Sequence, residues 1–339
     1  VKVTEAAYDL ELEIPFSISR DTTTVRPISI AEVRYGDIAG YGEASPSGYY
    51  GDSPELASNA IRGADELLGD DPFALHLLSD RLAERFPDSP SGRAAVEVAL
   101  FDVMGKVAGQ PVFRMLGLSG MRPPLTSLTV GVSDVSLAEA RLESLSRFPI
   151  LKAKVGFGDE EALLRLLSEG TESAIRVDAN EGWTLDEAIS KMKAYRARYG
   201  VEFFEQPLPK EDLDGYRELM ERTEATIIVD ESVRCKEDVV RWSGAAHGIN
   251  IKLMKCGGLL EALRMIWAAR SVGMRVMLGC MVESSVAITA AAHIAPLADY
   301  CDLDGNLLIA NDPFQGVKGY EGVLSLPEVP GLGVRPGDR

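Results

Sequence analysis

The 339-residue sequence predicts a parallel β/α barrel preceded by a smaller α+β module. From Leu125 onward, short apolar runs recur about every 25 residues with helical stretches between them. Before Leu125 the order differs, with strands first and helices after. The main rival, an open doubly wound sheet, is disfavoured because no strand-like run is followed by a Gly-x-Gly-x-x-Gly turn.

Taken in order, Val1–Ile14 and Ile28–Tyr35 alternate like strands, with a polar loop at Ser17–Thr24 between them. A second loop, Ala44–Ser53, is rich in Gly, Ser and Tyr. Helical periodicity runs from Pro54 to about Leu118. Within it, Gly92–Ala108 sets Ala95, Val98, Ala99, Phe101, Asp102 and Met104 on or near one packed face. The barrel strands are expected at Leu125–Val130, Ile150–Val155, Ala174–Asp178, Val201–Glu205, Thr226–Asp230, Gly248–Lys252, Arg275–Leu278 and Tyr300–Leu303. Between them, Leu137–Arg147, Glu160–Glu169, Leu185–Tyr199 and Leu259–Ser271 have helical spacing. The Gly- and Pro-rich tail after Asn306 has no barrel periodicity and is expected to fold back on the first module. That divides the chain into a capping region, 1–123 with about 306–339, and a barrel, 124–305.

Composition narrows the function. Lys and Arg total 35 against 52 Asp and Glu, a formal charge of -17, which argues against nucleic acid and anionic membranes as partners. No run approaches the length of a membrane span, and no N-terminal stretch reads as a secretion signal. The cysteines (Cys235, Cys256, Cys280, Cys301) are scattered without CxxC spacing, so a reduced, cytoplasmic chain is expected. His76, His247 and His293 form no metal-ligand pattern. Oligomeric state is not legible, and a homo-oligomer stays open.

In a parallel barrel, chemistry sits at the C-terminal ends of the strands. Those ends carry Lys152-Ala153-Lys154, Asp178, Glu205, Asp230, Asn250-Ile251-Lys252 and Asp302-Leu303-Asp304. Three acids on consecutive strand ends would repel one another unless a cation neutralised them. An all-oxygen set with no Cys or His suits Mg²⁺ rather than zinc. Alternation along a strand places Lys152 with Lys154, and Asn250 with Lys252, on shared faces. The second and sixth strands lie roughly opposite each other, so a lysine stands on each side of a substrate held at the triad. One of them must be neutral to accept a proton, and the metal and Lys152 are the natural means of lowering Lys154. Lys255, three residues past Lys252, is expected to be solvated or packed at a helix start, outside the inward-facing set.

These motifs, Lys152-Ala-Lys154, Asp178-Ala-Asn180, Glu205-Gln-Pro207, Asp230-Glu-Ser232 and Asn250-Ile-Lys252 followed by Gly257-Gly258, resemble the enolase superfamily, muconate-lactonizing subgroup. The resemblance spans essentially the whole chain. It implies a (β/α)7β barrel with an α+β cap, Mg²⁺ on Asp178, Glu205 and Asp230, and Lys154 and Lys252 as the acid/base pair. The mandelate-racemase branch uses a histidine base, and no histidine ends a strand here. Asp302-Leu-Asp304 is similar to the Asp-x-Asp with which dipeptide epimerases hold the substrate's α-ammonium, a role suited to two carboxylates with no cation of their own. Met281 and Glu283 after the seventh strand, and Thr129 on the first, are further expected substrate contacts. Arg20 in the first loop is a candidate for meeting an acidic side chain, although a solvated loop arginine is the simpler account.

The resulting expectation is a Mg²⁺-dependent epimerase that inverts the α-carbon of a dipeptide's C-terminal residue by 1,1-proton transfer through an enediolate. The alternatives within the superfamily are a muconate cycloisomerase, an o-succinylbenzoate synthase or an N-acylamino-acid racemase, none of which needs an ammonium site. A catalytically silent barrel is the rival from another class.

Overall fold

A computed structural model describes residues 1–17, 22–131 and 135–337. The chain opens with an antiparallel sheet in the order β1 (Lys2–Ser17), β2 (Thr22–Tyr35) and β3 (Ile38–Ala44). Pro54–Gly63 (α1), Leu75–Arg85 (α2) and Pro90–Ala108 (α3) follow. Ser53 caps α1 by accepting from Leu56 N–H, and Ser89 caps α3 by accepting from Gly92 N–H, each just ahead of a proline that suits the first turn. α3 lies against the sheet, and a Cβ at Gly42 would overlap the Ala95 carbonyl, so only glycine lets the helix approach this closely. The third strand was not among the expected elements. Its Gly40 and Gly42 break the apolar alternation that marks a strand, and they are there for α3.

Eight parallel strands then run β4 (Leu128–Val130), β5 (Ile150–Lys154), β6 (Ala174–Asp178), β7 (Phe204–Glu205), β8 (Ile227–Val229), β9 (Gly248–Ile251), β10 (Arg275–Gly279) and β11 (Tyr300–Asp302). Each pairs with its sequence neighbour. A parallel bridge between Thr126 and Cys301, with Ser127 N–H donating to the Cys301 carbonyl (3.1 Å), joins the two ends into a barrel. The eight expected strands are all present, with ends that differ from expectation by up to three residues. No helix among the described residues is long and apolar enough to cross a membrane.

The barrel interior is built in two tiers. Phe203, Ile228, Met277 and Tyr300 form a small apolar cluster of their own, closed off from the helix-facing core. Two residues further along the same strands, the same face carries Glu205, Asp230, Gly279 and Asp302. Strand alternation alone therefore stacks a charged tier directly on an apolar floor. The outward faces, including Val177, Phe204, Ile227 and Ile249, join the main core with the surrounding helices.

The tail returns to the first module. Leu12 bridges Ile309, and Pro111 bridges Gly331. His293, fully buried on the barrel helix Ser285–Ile294, ties the parts together. Its Nδ1 accepts from Phe113 N–H (3.1 Å), which leaves the proton on Nε2 to donate to the Leu332 carbonyl (3.0 Å). Burial pushes this imidazole down to about 4. An imidazole depressed in the folded state contributes stability that is intact above its unfolded value near 6.5 and is lost as pH falls toward 4. The loss should be about 3 kcal/mol. Denaturant titrations of the wild-type chain and His293→Gln at several pH values should show the difference between them shrinking over that window. A difference that is the same at pH 7 and pH 4 would exclude this role.

Candidate active site

Register aligns the acids. Lys154 pairs with Asp178 across β5–β6, and Asp178 with Glu205 across β6–β7. Asp230 stands just beyond β8. Asp178 accepts from Asn180 N–H (3.0 Å), and Asp230 N–H donates to Gln206 Oε1 (2.7 Å). Asn180, Glu181 and Gln206 hold positive φ (42°, 66° and 38°), which non-glycine residues rarely adopt. These strained turns directly follow two of the three acids, and strain of this kind gathers at functional sites.

The tier is crowded with charge. Lys152, Lys154, Lys252 and Lys255 are buried with Asp178, Glu205, Asp230, Glu231, Asp302 and Asp304. Lys152 Nζ sits between Asp178 Oδ2 (3.0 Å), Glu205 Oε2 (2.7 Å) and Asp302 Oδ2 (2.7 Å). Lys154 Nζ pairs with Asp178 Oδ2 (2.7 Å), and Lys252 Nζ with Asp230 Oδ2 (2.8 Å). Burial opposes ionisation of Asp178 and Asp230, but the adjacent ammonium groups outweigh it and hold both carboxyls well below their usual range. Burial likewise disfavours charged Lys152 and Lys252, yet the carboxylates around them hold both ammonium groups above the ordinary lysine value.

Lys255 corrects an expectation. It is buried and points inward, donating to Asp230 Oδ1 (2.5 Å), the Asp230 carbonyl (2.6 Å) and the Asn250 carbonyl (2.9 Å). The helical turn Leu253–Cys256 begins directly after Lys252 and carries Lys255 back beneath the end of β8.

The buried acids outnumber the four ammonium groups here, so the tier is short of positive charge. The excess is visible locally. Burial and then Asp178 push Glu205 up to about 7, and burial and then Asp302 push Asp304 up to about 6. Glu205 Oε2 has no hydrogen bond of good geometry despite its contact with Lys152. Asp178, Glu205 and Asp230 thus have the oxygen chemistry and the strand positions of a hard-cation site. Their oxygens are turned to the lysines, and among the described residues no three metal-ligating side chains converge.

Around this centre lies a cavity of about 360 Å³, bordered by Lys154, Lys252, Asp302 and Asp304 from the barrel and by Phe16 and Tyr49 from the cap. That volume is within the range of small-molecule sites. Asp302 differs from expectation in having a cation of its own, Lys152, besides the Ser127 hydroxyl (2.6 Å). Thr129 braces the pair, its N–H donating to Asp304 Oδ2 (2.5 Å) and its hydroxyl to Asp302 Oδ1 (3.5 Å). Met281 lines the cavity, but Glu283 does not. Glu283 is buried behind it, accepts from Met281 N–H (2.8 Å), and is pushed up to about 8 by burial and then by Glu43. Arg20 lies outside the described residues. No histidine lines the cavity among the described residues.

Other site residues were not anticipated. Tyr49 hydroxyl donates to Glu181 Oε2 (2.5 Å), fastening the second N-terminal loop to the strained turn after β6. Asn180 Nδ2 donates to Glu231 Oε1 (3.1 Å), and Asn250 Nδ2 to Glu205 Oε1 (2.7 Å). A Cβ at Gly279 would lie 2.6 Å from Asn250 Oδ1, so that glycine makes room for the amide that holds Glu205.

Residues 1–117 match the mandelate racemase/muconate lactonizing enzyme N-terminal domain, and residues 135–339 match the enolase C-terminal domain-like family. An L-Ala-D/L-Glu epimerase of Bacteroides thetaiotaomicron is 37% identical over 335 residues, covering 98% of this chain and 88% of that protein. An L-Lys-D/L-Arg epimerase of Methylococcus capsulatus is 38% identical over 325 residues, covering 90% of each. A dipeptide epimerase of Enterococcus faecalis, solved with Mg and the dipeptide L-Leu-L-Tyr, superposes with a TM-score of 0.93 at 30% identity, covering 98% of both chains. With both halves matched and whole-chain relatives at this identity, the chain belongs to the enolase superfamily.

Proposed function

We propose that this chain is a magnesium-dependent dipeptide epimerase that inverts the α-carbon of the substrate's C-terminal residue. The observation that carries the reading is one cavity bordered by two lysines from well-separated strands, β5 and β9, and by the Asp302–Asp304 pair from β11. Magnesium held by Asp178, Glu205 and Asp230 would supply positive charge to the substrate carboxylate as negative charge develops there. The protein's own groups do the rest. Lys154 and Lys252 address opposite faces of the α-carbon, one taking the proton as base and the other returning one as acid. Lys252, held protonated beside Asp230, is in the state an acid requires, and the reverse reaction exchanges the roles.

Asp302 and Asp304 would receive the free α-ammonium of the dipeptide. Lys152 neutralises only part of this pair, which leaves Asp304 pushed up and short of positive charge. A cycloisomerase or an N-acylamino-acid racemase brings no ammonium group to spend there. We assign residues 1–123 and the tail from about 306 to the cap, and 124–305 to catalysis. The tail's bridges to Leu12 and Pro111 support that division. Four free thiols fit a reducing, cytoplasmic compartment.

Relatives with acidic, basic and apolar dipeptides in their names leave the preferred side chains open. The test is incubation with a dipeptide library in D₂O, read by mass spectrometry. Deuterium should enter the C-terminal α-position of a subset of substrates, and no exchange with any dipeptide in the presence of Mg²⁺ would defeat the reading. On the best substrate, N-acetylation should lower kcat/KM roughly 100-fold, about 3 kcal/mol, because a buried carboxylate loses its partner. Equal rates for blocked and free substrates would point to an N-acylamino-acid racemase.

The lysines separate by handedness. Lys154→Ala and Lys252→Ala should each abolish net inversion. Each should still exchange the α-proton of one epimer, through the lysine that remains, and the two variants should exchange opposite epimers. Loss of the α-proton NMR signal reads this directly. Exchange of the same epimer by both variants would rule out two-sided proton transfer.

A further inference from the structure

Lys255 has no role in the proton transfer proposed above, yet it is among the most enclosed charges in the molecule. Its ammonium makes three bonds, to Asp230 Oδ1, the Asp230 carbonyl and the Asn250 carbonyl. Those contacts reach two acids at once. Asp230 is held through the one carboxylate oxygen that Lys252 does not take, since Lys252 bonds Oδ2. Glu205 is held at second hand, because Asn250, whose carbonyl Lys255 grips, donates its side-chain amide to Glu205 Oε1 (2.7 Å).

We infer that Lys255 is a positioning residue that locks the ends of β8 and β9 together and so sets where Asp230 and Glu205 present their oxygens to a divalent cation. The inference rests on the magnesium-dependent reading above. It also carries a sign. Judged as a charge alone, Lys255 repels a cation, and removing it should tighten magnesium binding. Judged as a positioner, its removal frees the carboxylate of one ligand and the carbonyl that seats another, and binding should weaken. Outer partners that orient metal ligands typically change affinity 10- to 100-fold.

The side chain also borders a cavity of about 350 Å³ between the α2–α3 face and the barrel, so a shorter or uncharged side chain has room there. Calorimetric titration of Mg²⁺ into chelator-treated protein, without substrate, should therefore give a Kd at least tenfold higher for Lys255→Met than for wild type. Lys255→Gln keeps one donor for Asp230 and should fall between them. It carries the test if the Met variant does not fold, with thermal melting showing which variants are folded. Unchanged or tighter magnesium binding by a folded variant, even one with a lowered Tm, overturns the inference and leaves the functional reading standing. A wild-type chain that binds no Mg²⁺ overturns that reading and the inference with it.

Discussion

A carboxylate taken out of water without a partner costs several kcal/mol, and the mouth of this barrel buries a cluster of them. Their mutual compensation by four lysines is the constraint on which the rest depends. It accounts for Lys152, which makes three ion pairs and borders the cavity beside the proposed substrate ammonium site. It accounts for the amides of Asn180 and Asn250, each committed to a carboxylate. Glu205 and Asp304 are pushed up by burial and then by a neighbouring acid, Asp178 and Asp302 respectively. A site whose buried acids outnumber its lysines is short of positive charge, and a divalent cation would supply it.

The barrel makes such crowding affordable because strand alternation separates the tiers. Phe203, Ile228, Met277 and Tyr300 close the floor, and two residues later come Glu205, Asp230 and Asp302, with Gly279 in the fourth place. Arg176 stands at the join, with its guanidinium 5.1 Å from the Phe203 ring and 5.0 Å from that of Tyr300, and with one nitrogen on the Cys301 carbonyl. Because the spacing is two residues, a one-residue register slip would send the acids outward into the helix layer. The same spacing made the site legible. Asp178, Glu205, Asp230, Lys154 and Lys252 each end or directly follow a short apolar run, which is where a parallel barrel places its chemistry.

What escaped the sequence shares a different cause. Lys255 lies past a strand end, and three residues of helix reverse the direction in which a side chain points, so its inward aim depends on a turn that periodicity does not specify. β3 was hidden by glycines whose purpose is the close approach of α3. Glu283 stands next to a residue that lines the cavity but faces Glu43, because it follows the end of β10, where alternation no longer applies. The partnership of Asp302 with Lys152 joins residues 150 positions apart and required the barrel to close. In each case the missing information is tertiary direction, whereas the chemistry of the residue was evident.

The division of labour between the two modules follows from these constraints. Every lysine and acid in the charged tier is tied to at least one neighbour there, so changing any of them disturbs the balance of all. Groups outside the tier also border the cavity, Phe16 and Tyr49 from the cap and Met281 from the barrel among them. Phe16 at the end of β1 lies over Lys154, with the ammonium 5.9 Å from its ring, and Tyr49 closes the opposite loop through Glu181. Glu181 also accepts from Lys210 N–H (2.7 Å), and the Lys210 ammonium lies 4.1 Å from the Tyr49 ring, so barrel loops grip the cap loop from two directions. A cap fastened in this way brings Phe16 and Tyr49 to the border of the cavity, with the Phe16 ring against the Lys154 ammonium.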